Sequence, residues 1–287
     1  MTGLGLELGL AVLMLGVFFL GVFSRSEDRS RVGYLAAAGT LVLLGESFFV
    51  QPREPRFGGA WAADGLALFA KQLFLGATLI GILGSLSLRE AAFRRRAPEY
   101  YLLLLASLLG MLALASARDL ILLFVAFELM SIPLYVLAGF LKREPEAVEA
   151  SLKFFLVGTV SSAIMAYGLS LVYGVTGTTY LAGVAKALPA GDPLLMLGLL
   201  AVLAGFGFKI AAFPFHMWVP DTYEAASTPF VAWLSVAPKA AGFVALFRVY
   251  LEGANERALV WVPIVAGLAA ITIVAGNLMA LPQQNTK

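Results

Sequence analysis

The chain has 287 residues, of which 60% are apolar and 13% charged, with a net charge of +2 and a mean hydropathy of +0.88. Soluble proteins carry about 25% charged residues, so this is the composition of an integral membrane protein, and its few scattered basic residues point away from a nucleic-acid partner. Without cysteine there is no disulfide, thiolate metal site or thiol chemistry, and a single histidine, His216, excludes a His-rich metal centre.

The first apolar run, Leu4 to Phe23, lacks a basic leading segment and a small-x-small cleavage site, so it reads as a spanning helix and not a signal peptide. The charged loop SRSEDRSR leads to a second span, about Val32 to Val50, which the prolines and glycines of PREPRFGG stop. A third span is predicted from about Trp61 to Leu88. It carries Asp64 near one end and Lys71 about two turns further in, where the lysine is either a buried functional charge or, more simply, one that snorkels to the interface. The basic loop REAAFRRRAPE precedes a fourth span, about Tyr100 to Ala115, and the fifth, about Leu120 to Leu141, holds Glu128.

KREPEAVEASLK begins a sixth span that reaches about Gly174, with Glu146 and Glu149 where a helix dipole favours anions. Lys153 follows Glu149 by four residues, so the two share a helix face, either as an ordinary surface ion pair or as an extension of a charged line from Glu128. A Gly-, Thr- and Pro-rich linker, about Thr176 to Pro193, enters the seventh span at Leu194, which carries Lys209. Pro214 and Pro220 remove backbone donors in and after this run, so a broken helix is expected between about Lys209 and Trp218, with free carbonyls beside the lysine. The eighth span, about Pro229 to Tyr250, has Pro238 directly before Lys239, where a kink is expected, and the ninth runs from about Leu259 to Leu281. The result is an all-α polytopic bundle of about nine transmembrane helices. Counting Lys and Arg in the loops gives about ten on one side and about six on the other, which places the N-terminus outside the cytoplasm.

A hydrocarbon core of ~30 Å takes ~20 helical residues, so a side chain about ten residues from a polar boundary is near the midplane. Glu128 is nine residues after Asp119 and fourteen before Lys142; Lys209 is seventeen after Asp192 and twelve before Asp221; Lys239 is fifteen after Glu224 and nine before Arg248. One acid and two lysines at one depth suit a structural ion pair less well than a proton relay, because such a pair leaves the other lysine over and the proline breaks unexplained. Burial disfavours the charged form of each group, so each can load or lose a proton as its neighbour's charge changes. His216 fits either as a link towards one surface or as a hydrogen-bonded structural group.

The segments PFHMWVPDTYEAASTPFVAWLSVAPKAAGF, FELMSIPLYVLAGF, ASLKFFLVGTVSSA and GNLMALPQQNTK resemble the antiporter-like membrane subunits of respiratory complex I, NADH:quinone oxidoreductase, over roughly residues 60 to 287. Within that family the PDTYEAA spelling and the lysine after proline are most similar to the subunit N branch. The resemblance implies a proton channel of two inverted five-helix repeats, each with a broken helix, in the inner (cytoplasmic) cell membrane. Residues 1–97 would then form N-terminal helices 1 to 3, residues 98–252 the first repeat with its broken seventh helix, and residues 253–287 the first helix of a second repeat that continues past Lys287. It places the relay on Glu128, Lys209 and Lys239, and makes Lys153 a further member. No residue of this chain is implied as a redox centre; NADH, flavin, iron–sulfur clusters and quinone are expected in partner subunits. A multi-component cation/proton antiporter, a membrane-bound hydrogenase subunit and a non-transporting structural subunit are the alternatives.

Overall fold

The structure is a computed structural model that describes residues 4–24, 31–88, 90–140, 145–187, 192–255 and 258–283. The chain runs α1 (Gly5–Phe23), α2 (Val32–Ser47), β1 (Arg53–Arg56), β2 (Trp61–Ala63), α3 (Gly65–Ser85), α4 (Ala91–Arg95), α5 (Ala97–Ser116), α6 (Leu120–Ala138), α7 (Pro145–Thr176), α8 (Leu181–Ala187), α9 (Pro193–Ile210), α10 (Val219–Ala225), α11 (Thr228–Leu234), α12 (Ala237–Phe247) and α13 (Ala258–Ala280). Among the described residues, eight helical segments are long and apolar enough to cross a membrane: α1, α3, α5, α6, α7, α9, the run Thr228–Gly253 that contains α11 and α12, and α13. The apolar helix α2 makes a ninth segment, shorter than the rest at 16 residues. Loop residues 25–30 and 141–144, on which part of the charge-based orientation rests, and residues 284–287 of the last motif lie outside the described residues.

Two boundaries differ from the hydropathy reading. The third span begins at Gly65, because Trp61–Ala63 pairs antiparallel with Arg53–Arg56. Phe57, Gly58 and Gly59 turn the chain with φ of 51°, 67° and 101°, a reversal for which glycine is suited, and the hairpin is tied down where Arg118 N donates to Ala60 O at 2.8 Å. Hydropathy counts Trp61, Ala62 and Ala63 as helix because strand and helix bury the same apolar side chains. The second difference is that the predicted linker contains α8, which packs on the turn after α12 and buries Leu181 and Val184.

Local chemistry explains the helix starts. Asp64, Asp119 and Asp192 each accept hydrogen bonds from first-turn amides of α3, α6 and α9, satisfying donors that have no partner within the helix. In hydrocarbon the helices gain little by hiding apolar surface from one another, so close approach through small residues carries the packing. The two most intimate crossings show this. A Cβ on Gly110 would lie 2.3 Å from Met130 N, joining α5 to α6, and one on Gly168 would lie 2.6 Å from Gly198 O, joining α7 to α9. The helix α13 stands apart from this core, with Trp261 its buried side chain.

Candidate functional site

The site grows from the C-terminal end of α9. Lys209 is its penultimate residue, and the helix stops because Ala211 adopts a left-handed conformation with φ of 61°. Turns follow through Met217, with a cis Phe213–Pro214 bond, before α10 resumes at Val219. The interruption therefore falls in the predicted window. Pro214 lies within it, whereas Pro220 occupies the first turn of α10, a position where its missing N–H costs nothing. Pro220 thus restarts the helix instead of breaking it.

The break does not leave its carbonyls empty. Ala211 N and Ala212 N close on Phe208 O and Gly207 O at 3.1 and 2.8 Å, and Trp218 Nε1 donates to Phe208 O at 3.2 Å. The indole is buried and stacks on Phe154 with ring centroids 4.2 Å apart. Trp218 is thus the side chain that folds the returning strand of chain back onto the end of α9, and the sequence reading did not single it out.

Lys209 is 2% exposed, and its ammonium makes no hydrogen bond among the described residues. It sits among aromatic rings, 5.1 Å from the centroid of Phe127, 5.6 Å from Phe208 and 5.9 Å from Tyr135, whose faces attract a cation. Glu128, on α6, is held from α7: Ser162 Oγ donates to its Oε1 at 2.5 Å. No ion pair joins Glu128 to Lys209, but the two belong to one neighbourhood, because Phe127, the residue before Glu128 in α6, lies 5.1 Å from the ammonium. The direct contact of a structural ion pair is not formed between these two side chains. Ser162 lies within the ASLKFFLVGTVSSA segment, but one hydroxyl among several in a 32-residue helix carries no periodic signal that would mark it as the partner of Glu128.

Lys239 is the third residue of α12. The span from Thr228 to Gly253 is interrupted at Ser235 and Val236, and Pro238 stands in the first turn of α12, so the expected kink is present. The lysine is half-buried, with Nζ 5.2 Å from the Tyr223 ring. Gly242, one turn on, lies against the stem of Lys209: a Cβ there would meet Lys209 Cγ at 3.0 Å. The helices that carry the two lysines are in contact.

The remaining candidates separate from this cluster. Lys153 is 47% exposed and pairs with Glu149 and with Asp221 of α10, each at 2.8 Å, so in this structure it ties α7 to α10 as a surface ion pair. His216 lies in the break, with Nε2 3.2 Å from Met279 Sδ of α13. Lys71 does not snorkel. It is 2% exposed and lies 2.6 Å from Glu7 of α1, which is buried too, because α1 brings its own carboxylate alongside. Glu7, the acid in the first span, offers this counter-charge in the sequence, but nothing there says that α1 and α3 lie side by side. Arg248 serves the depth argument as a polar boundary, but its side chain is fully buried.

Comparison with known proteins places these features in a family. Residues 117–287 match the model described as NADH:quinone oxidoreductase/Mrp antiporter, transmembrane. NADH-quinone oxidoreductase subunit N of Heliobacterium modesticaldum is 40% identical over 284 residues, 98% of this chain and 60% of that protein. Subunit N 2 of Rhizobium meliloti is 46% identical over 255 residues, 88% of this chain and 52% of that protein. A chain of respiratory complex I from Thermus thermophilus with bound Aureothin superposes with a TM-score of 0.81 at 35% identity, covering 98% of this chain and 60% of that one. The chain thus spans between about half and three fifths of the length of these relatives. With the family model matching more than half of its residues and the buried lysine, helix break and kinked lysine helix all inside or beside the match, the chain belongs to the NADH:quinone oxidoreductase/Mrp antiporter family of membrane proteins.

Proposed function

We propose that the chain is a proton-translocating part of a subunit N of NADH:quinone oxidoreductase, in which Glu128, Lys209 and Lys239 relay protons through the membrane while quinone reduction takes place in partner subunits. Under this reading residues 98–252 form one five-helix channel repeat and residues 253–287 open a second, with His216 and Lys153 linking the line towards its ends. The neighbours are the other membrane subunits and the lipid of the inner cell membrane, with the N-terminus outside the cytoplasm. NADH, flavin, iron–sulfur clusters and quinone belong to the partners.

The observation that carries the proposal is Lys209, a buried ammonium without a hydrogen-bonding partner among the described residues, at a helix break and 5.1 Å from the ring of Phe127, the neighbour of Glu128. An isolated charge in hydrocarbon costs several kcal/mol. Such a group serves a purpose when its charge comes and goes. A change in the charge at Glu128 alters how firmly Lys209 holds its proton; release from Nζ leaves a neutral amine, and the proton passes through water to Lys239 across the α9–α12 contact.

The test uses the full-length subunit in its intact complex, reconstituted in sealed vesicles. Lys209→Met and Lys209→Arg are compared, since arginine keeps the charge but cannot be deprotonated. Both variants should assemble and lose NADH-driven proton uptake by ~100-fold, the scale of a positioned proton-transfer group. Parental uptake in Lys209→Arg would overturn the relay. Proton flux that depends on sodium and not on NADH would assign the chain to a cation/proton antiporter instead.

A further inference from the structure

The C-terminal end of the Lys239 helix carries an anchor that the relay does not use. Arg248 follows Lys239 by nine residues and is 0% exposed. Its Nη1 and Nη2 donate to Asp64 Oδ2 and Oδ1 at 2.6 Å each, a two-pronged pairing of the kind that fixes orientation as well as distance. Nε and Nη2 also donate to Ala115 O at 3.2 and 3.0 Å, and Nη1 to Glu252. Glu252 in turn accepts from Arg118 Nε at 2.6 Å. Asp64 is not free to drift, because the same residue caps α3 through Ala67 N at 2.9 Å. Burial works to raise the Asp64 carboxyl, but the bonds from Arg248 and Ala67 and the charges of Arg248 and Arg118 outweigh it and hold the group below its ordinary value, so the clamp is fully charged at neutral pH.

A buried ion pair is weak evidence for stability, since desolvation offsets much of its attraction; its best-attested use is to fix register. That use has an object here. At Ser235 and Val236 the regular helix gives way to a turn that still bonds back to α11 through Val231 O and Trp233 O, so the N-terminal end of α12 is not fixed by a continuous helix. Its C-terminal end is held by Arg248 to Asp64 at the start of α3 and to the last turn of α5, and a π-helical turn, Arg248–Gly253, begins at the same residue. Between the two ends Gly242 rests on the stem of Lys209. Sliding or rotating α12 therefore moves Lys239 relative to Lys209.

We propose that Arg248 is a positioning residue: its clamp on Asp64 and Ala115 sets the height and rotation of α12, and thereby the placement of Lys239 against Lys209. The functional part of this inference rests on the lysine relay proposed above; the placement of α12 does not.

The experiment keeps the two apart. Lys239→Cys in the full-length subunit of the intact complex reports the surroundings of position 239 through its rate of thiol labelling, followed by mass spectrometry on the peptide that contains position 239, in which this sequence supplies no other cysteine. Arg248→Lys keeps the charge and removes the fork, and Asp64→Asn keeps the size of the partner and removes its charge. Loss of one charge-assisted pair shifts an equilibrium by about tenfold, so either substitution should change labelling at position 239 by a factor of that order, with Asp64→Asn carrying the test if Arg248→Lys fails to assemble. Unchanged labelling in the assembled variant overturns the proposal. In complexes that retain Lys239, the same substitutions should lower proton uptake per NADH by about tenfold, within the ~100-fold that a displacement of ~1 Å can cost, and should alter its pH profile. Altered labelling with unaltered uptake and pH profile would leave Arg248 as the determinant of helix placement and overturn its functional part, the relay through Lys239.

Discussion

Trp218 gives the helix break a measurable stability. The indole acts on the end of α9 in two separable ways: Nε1 donates to Phe208 O at 3.2 Å, and the ring stacks on Phe154 at 4.2 Å with the planes 16° apart. Trp218→Phe keeps an aromatic ring for the stack and removes the donor. Phe208 O retains the Ala211 amide, so it is not orphaned, and the loss should be that of one ordinary hydrogen bond, about 1 kcal/mol. Trp218→Ala removes the donor, the stack and a side chain that is 2% exposed. Truncating a large aromatic in a core costs about 3–5 kcal/mol, to which the stacking geometry contributes ~1 kcal/mol. The two variants should therefore differ by about 2–4 kcal/mol, a gap far outside the scatter of such comparisons. The assay is denaturant titration of the full-length subunit in lipid bicelles, with NADH-driven proton uptake of the intact complex measured in parallel. Trp218→Phe should keep most of the uptake and Trp218→Ala should lose it. Equal stability of the two variants would show that the ring packing does not hold the break closed, and the account of Trp218 would fall.

Three further expectations follow from the contacts. Glu128→Ala should assemble yet lose proton uptake, while Glu128→Asp, which keeps the charge with a shorter reach, should be milder; normal uptake in assembled Glu128→Ala removes this residue from the relay. Lys239→Arg should preserve assembly and reduce coupled proton transfer, and the role is refuted if Lys239→Arg pumps like the parent while Lys239→Met fails to assemble. Glu7→Gln leaves Lys71 buried without its counter-charge and should destabilise the subunit by about 3–5 kcal/mol, whereas Glu7→Gln combined with Lys71→Met should recover most of that loss; a double variant as unstable as the single one, by the same denaturant titration, would show that the 2.6 Å contact does not hold α1 to α3.

Much of this chain was legible without coordinates. Apolar runs bounded by charges mark spanning helices because hydrocarbon admits few backbone solutions other than a fully hydrogen-bonded helix, and the positions of Glu128, Lys209 and Lys239 along those runs single them out as candidates, since a charge expected far from both membrane faces is exceptional whatever it touches. Proline chemistry likewise located the break after Lys209 and the kink at Lys239, because a missing N–H is a property of the residue itself. Partnership is another matter. That Lys71 meets Glu7, that Ser162 holds Glu128, that Lys153 reaches Asp221 and that Arg248 turns inward onto Asp64 depends on which helices lie side by side and on how each is rotated, and neither is encoded in the hydropathy of a single helix. Those pairings join residues up to 184 positions apart, and they are decided by the close approach of small residues between helices, as at Gly168 against Gly198 and Gly242 against Lys209, so only the packed bundle could determine them.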